Sequence, residues 1–220
     1  MRENSSNQID YYNSSLSTTI TTSSTSIINN LNIPRLTTAQ ELLEDKFSIE
    51  LLKNKKEKYK RIELTLGDKV CFVKPSSDLI YDTIVRGLLP KKFGGLESPT
   101  VYVLVTDNKF DFYKIVQIAH KKYKMNLDIV LDQTIVKRVF TIYQLVDFLI
   151  FDLQKDIKKY ESKLFIITGD FFLNDSYIEK EEKDWLYPQM IESIKKVTTD
   201  SIILVFSPIA LPNLINYEGS

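Results

Sequence analysis

The stretch KVCFVKPSSDLIYDTIVRG, residues 69–87, sets an apolar run against a turn and then a segment with Ile80 and Ile84 one helical turn apart. It reads as a buried strand, a tight turn and an amphipathic helix, which is the local architecture of a phosphate-binding loop. Such a loop presents glycine amides to phosphate oxygens, a lysine to neutralise charge and a Ser/Thr hydroxyl to hold magnesium. Here the turn is Lys74-Pro75-Ser76-Ser77, with no glycine and no Gly-Lys-Ser/Thr. Pro75 removes an amide donor, and Asp78 suits a helix N-terminus but repels a phosphate placed there. Ser77 is expected to cap a helix that begins at Asp78.

Working outward, the apolar runs IELTL, KVCFV, TVYVLV, TIVKRVF, LFIIT and SIILVF read as strands. Segments 78–89, 111–124, 142–160 and 184–197 carry apolar residues three or four apart, as in Leu145, Leu149, Leu153 and Ile157. Near-continuous apolar strands alternating with helices predict an α/β fold: a mainly parallel central sheet flanked by helices on both faces, in three layers. Ligands in such folds sit beyond the carboxyl ends of the strands, so the residues that follow each strand are the informative ones.

The chain has 220 residues, 43% of them hydrophobic, enough for one domain with a substantial core. Its 29 basic and 29 acidic residues cancel, which removes any whole-molecule attraction to nucleic acid. Residues 1–33 are rich in Ser, Thr and Asn and read as a disordered tail. Residues 34–61 read as a linker with a helix capped by Thr37 or Thr38 and a basic run, and residues 62–220 as the core. No apolar leader or membrane-length run is evident, so an intracellular protein is expected, and the lone Cys71 reads as a small buried hydrophobe.

Beyond the third of these strands stand Asp107 and Asn108, which read as a turn-forming pair, with a general base as the sharper alternative. LFIIT ends in Thr168, where magnesium-assisted enzymes of this class place an Asp, and Asp170 comes two residues late. His120 is the one histidine and has no second ligand at metal spacing, so no metal site is expected.

With these pieces in order, residues 36–208 resemble the RadA/RecA-type recombinase core, in the branch of archaeal RadA, the eukaryotic recombinases and their paralogs. GLLPKKFGGLESPTVYVLVTDNKFDFYKIVQIAHKKY is the most specific match: Leu-Pro, the Gly94-Gly95-Leu96 turn, a strand, and Asp-Asn-x-Phe entering a helix. IVKRVFTIYQLVDFL is similar to the next strand and helix of that family. LTTAQELLEDK looks like the segment that docks on a neighbouring subunit, with Leu36 and Ala39 at its two anchor positions.

The resemblance implies a RecA-like fold, shortened at its C-terminus, with a degenerate nucleotide site. Ser76 falls near the position of the phosphate-loop lysine, Ser77 near that of the Ser/Thr, Asp107 at that of the catalytic Glu and Thr168 at that of the magnesium-binding Asp. No ATPase activity and no cofactor are therefore expected. Glu179, Glu181 and Glu182 stand where the family has its first DNA-binding loop, an unfavourable charge beside phosphates.

The function so implied is a non-catalytic recombinase paralog subunit. It would bind a recombinase or another paralog in a hetero-oligomer, meet DNA through that complex, and assist homologous recombination and DNA repair in an archaeal cytoplasm or a eukaryotic nucleus. Two alternatives remain. One is a RecA-like ATPase or ATP-binding protein in which Lys74, Ser76, Ser77 and Asp107 converge on nucleotide. The other is a direct DNA-binding accessory protein using Lys55, Lys56, Lys58, Lys60 and Arg61 with Lys121, Lys122 and Lys124, and Tyr59 or Tyr123 for base stacking.

Overall fold

Five-residue strands with no polar face have only one stable setting, a sheet covered on both sides, and the computed structural model has that form. It describes residues 46–51, 60–170, 178–197 and 200–218. The six-stranded sheet contains β3 (Lys69–Val73), β4 (Val101–Val105), β5 (Thr134–Arg138), β6 (Leu164–Thr168), β7 (Ile202–Ser207) and β8 (Ile215–Glu218). The strand order is β5-β4-β6-β7-β3-β8, and every pairing is parallel. This is the RecA-like three-layer α/β fold expected from the sequence.

One layer packs on Val70, Phe72, Val103, Ile166 and Leu204. It comprises α1 (Ser77–Leu88), α2 (Phe112–Lys121) and α3 (Leu127–Gln133). The opposite layer packs on Cys71, Tyr102, Leu104, Phe165 and Val205. It is a helix that starts as α4 (Ile142–Asp147), passes through a π-helical turn (Phe148–Asp152) and continues as α5 (Leu153–Lys159), beside α6 (Lys180–Lys196). Strand alternation explains the division, since successive side chains on each strand point to opposite faces.

Three elements were not evident from pattern: α3, β8, and β1 (Lys46–Leu51). β1 pairs antiparallel with β2 (Lys60–Thr65) as a separate two-stranded sheet against the α1 layer. It lies within the segment 34–61 read as a linker, yet Phe47 and Ile49 are fully buried and the Arg86 guanidinium sits 5.4 Å from the centre of the Phe47 ring. The tail 1–33, the docking residues Leu36 and Ala39, and Lys55, Lys56 and Lys58 lie outside the described residues.

β8 is reached from β7 by seven residues, 208–214, a short crossover for two parallel strands. It works because β8 is set back against β3, Ile215 opposite Val70, and because Leu211 is buried on the Cys71 face as the chain passes over β3. Burial raises the Cys71 thiol pKa to about 11, which keeps it protonated and unreactive at neutral pH. Among the described residues no helix is long and apolar enough to cross a membrane.

If β1 belongs to the cooperative core, truncating its anchor must be felt globally. Phe47→Ala is expected to lower stability by about 3–5 kcal/mol in urea unfolding, with a single transition retained. A loss below about 1 kcal/mol would mean that the two-stranded sheet contributes little to the core.

Candidate functional site

Because all six strands are parallel, Lys74–Ser77, Asp107 and Thr168 share one edge of the sheet, as the sequence implies. The chain runs outward from β4 to β5 and in the opposite sense from β6 to β7, so the adjacent β4 and β6 form the topological switch point. In open sheets this is where a crevice receives a ligand.

At that point the structure is closed by its own backbone. The Thr106 amide donates to the Thr168 carbonyl at 2.9 Å, extending the β4–β6 pairing by one residue, and the Thr106 hydroxyl donates to the same oxygen at 3.3 Å. Both threonines are buried. The next residue, Gly169, has φ of +132°, and a Cβ there would lie 2.1 Å from the Thr106 hydroxyl oxygen. Thr106 therefore fills the volume beside Gly169, and glycine is needed both for conformation and for space.

Asp107 forms a local turn: its carboxylate accepts from the Lys109 amide at 3.0 Å. It also lies near Tyr81 of α1. The Tyr81 hydroxyl accepts from the Asp111 amide at 2.8 Å. Its pKa is raised chiefly by burial, with the charges of Asp111 and Asp107 adding to the rise.

The turn after β3 is tied into the fold at Lys74, Ser76 and Ser77. The Lys74 amide donates to the Ser207 carbonyl at 2.7 Å, and Lys74 itself takes a left-handed conformation (φ 51°) that turns the chain away from the strand. Ser76 caps α1 by accepting from the Leu79 amide at 3.3 Å. Ser77, expected as the cap, is instead the first helical residue, and its hydroxyl accepts from the Lys114 ammonium at 3.1 Å. The displacement has a local reason: with Lys74 turned left-handed and Pro75 fixed in φ and lacking an N–H, Ser76 is the first residue to take the extended capping conformation, at ψ of 147°. The Lys114 ammonium also lies 5.4 Å from the centre of the Tyr81 ring, tying α2 to the start of α1.

The basic residues divide. Lys122 pairs with Asp82 at 2.7 Å, and the Tyr123 hydroxyl donates to the same carboxylate at 2.8 Å, so these two groups hold α1 to the end of α2. Lys121, Lys124 and Arg61 are exposed, and the side chain of Lys60 lies outside the described residues. Among the described residues no group of three acidic, His or Cys side chains is placed to hold a metal ion.

Sequence reasoning located the edge, the turn and the Asp107 pair, but missed Thr106, Lys114 and Tyr81, the residues that occupy the space between them. Thr106 extends an apolar strand by one polar residue and gave no signal of its own. No family model matches the chain, and no curated protein matches it significantly.

Closure at the switch point makes Gly169 sensitive. Gly169→Ala is expected to cost about 2–4 kcal/mol in chemical unfolding, from the left-handed φ and the collision together. Adding Thr106→Ser, which leaves the hydroxyl oxygen in place, should restore little. A near-neutral Gly169→Ala would show that the crevice has room.

Two phenols, the buried Tyr102 and the half-buried Tyr187, give a pH signature. Burial, with Asp170 adding to it, raises the Tyr187 pKa to about 12, and burial plus the hydrogen bond to Asp156 at 2.7 Å raises that of Tyr102 further. Folded phenols thus hold their protons more tightly than unfolded ones at about 10. Their contribution is complete below that value and is lost as pH climbs through 10 towards and beyond 12. Urea unfolding at pH 9 and pH 11 should show the lower stability at pH 11, and Tyr102→Phe should lessen that fall.

Proposed function

We propose that this chain is a non-catalytic recombinase paralog subunit that binds a RadA-type recombinase or another paralog and assists homologous recombination and DNA repair. The observation that carries this reading is the state of the phosphate-loop turn. Lys74 offers its amide to Ser207, Ser76 is spent on the helix cap, and Ser77 is bonded to Lys114. Phosphoryl transfer depends almost wholly on positioned donors and cations, and this turn has no glycine and carries Ser76 rather than a lysine ahead of Ser77.

Other features support the same reading. The RecA-like fold agrees with the ordered motifs from Leu89-Pro90 through Gly94-Gly95-Leu96 to Asp107-Asn108. The segment standing at the first DNA-binding loop runs as α6 from Lys180, with Glu179, Glu181 and Glu182 at its start, which disfavours direct contact with DNA phosphates there. A hetero-oligomer, in which a partner supplies nucleotide and DNA contacts, accommodates both properties.

Calorimetry with magnesium and ATP is expected to show no binding tighter than about 1 mM. Tight binding abolished by Ser77→Ala would return the chain to the ATPase reading. The chain should co-purify from native extract with a recombinase or a paralog, and a strictly monomeric chain that ignores both would sink the proposal.

A further inference from the structure

On the Cys71 face of the sheet, two helices run side by side and leave an apolar seam open to solvent. The Tyr143 hydroxyl of α4 donates to Glu182 of α6 at 2.5 Å, which fixes one end. Farther along, Ile150 and Gln154 stand across from Pro188 and Gln189 over a groove of about 500 Å³. Contacts thus progress in the same order along both helices, which lie parallel. Helical spacing puts Asp147 on one lip, between Tyr143 and Ile150, and Glu181 and Trp185 on the other, ahead of Pro188.

The seam is apolar where solvent reaches it: Trp185 is 66% exposed, Tyr143 51% and Ile150 41%. An exposed indole and phenol continuing the line of the groove at one end mark a contact surface for another molecule, since Trp and Tyr anchors dominate protein interfaces. The carboxylates gather at one end. Asp147, Glu181 and Glu182 border the half that holds Trp185, whereas the basic groove residue, Lys196, stands at the far end, and Lys195 is paired with Glu192 at 2.8 Å.

We propose that this seam docks a basic amphipathic helix of a partner protein, its apolar face on Tyr143, Ile150 and Trp185 and its cations beside Asp147 and Glu181. From Tyr143 to Gln154 the seam spans roughly 17 Å, the length of about three helical turns. A helix laid in a groove between two helices is an established recognition mode. Nucleic acid does not suit a surface bordered by carboxylates. Among the described residues, the exposed Lys91-Lys92-Phe93 of a second copy is a three-residue 3₁₀ turn, too short to fill the seam. The seat exists whether or not the partner is a recombinase: co-purification tests the partner's identity, and the titration below tests the seat.

Trp185 is the chain's single tryptophan, so its emission reports on the seam directly. The full chain is titrated with a synthetic leucine/lysine amphipathic helix of about five turns and, separately, with its leucine/glutamate counterpart. The basic peptide should shift Trp185 emission to the blue and shield it from acrylamide, and the acidic one should leave it unchanged. In the double variant Asp147→Lys, Glu181→Lys, with its circular dichroism intact, affinity for the basic peptide should fall about tenfold or more. No shift, equal shifts with both peptides, or unchanged affinity in the double variant would overturn the proposal. A blue shift that grows with protein concentration in the absence of peptide, together with a dimer in sedimentation, would also overturn it in favour of a second copy.

Discussion

Burial of the central strands on both faces is the constraint on which the rest of the molecule depends. β4, β6 and β7 expose no side chain to either side, so two complete helical layers must close over them. That requirement sets the pairing of elements: α1, α2 and α3 with the β1–β2 sheet on one side, and α4–α5 and α6 on the other. It also explains the aromatic stack of Tyr102, Phe148 and Phe165, with neighbouring ring centres 4.9–6.2 Å apart, which packs the π-helical turn onto the sheet. The turn itself shifts the helix register at Phe148, so that Phe148 and Leu149 both reach the core.

The same constraint decides what could be read in advance. A strand that is apolar throughout announces itself, and 69–73 and 164–168 were legible to the residue. β1 shows the alternation of a half-buried strand at Phe47 and Ile49, but it follows the helical pattern of residues 40–44 and has no separating turn signal. β8, with Ile215 exposed and only four residues, has too little apolar content to distinguish it from a loop. At the candidate site, residue types and edge position were legible because parallel strands put all their ends on one side. Their pairings were not, since Lys114 with Ser77 and Thr106 with Thr168 join residues 37 and 62 positions apart.

The two ends of the candidate site differ in how they are filled. At the β3 turn, polar groups bond to one another and to the backbone, with Ser76 as a helix cap and Ser77 tied to Lys114. At the β4–β6 switch point the space is filled by packing, with Thr106 against Gly169. Hydrogen-bond satisfaction is general: among the described residues no buried side-chain nitrogen or oxygen lacks a partner.

The position of β3 has a further consequence, for the order of events during synthesis. β3 pairs only with β7 and β8, both at the other end of the chain. Some 130 residues separate it from β7, so at ordinary elongation rates of about 5–20 residues per second it waits roughly 6–26 s for a partner. During that interval Val70, Cys71 and Phe72 have no sheet to join, although α1 can form. The first strand of the sheet is thus among the last to be placed, and the chain is most in need of a chaperone between the emergence of β3 and that of β7.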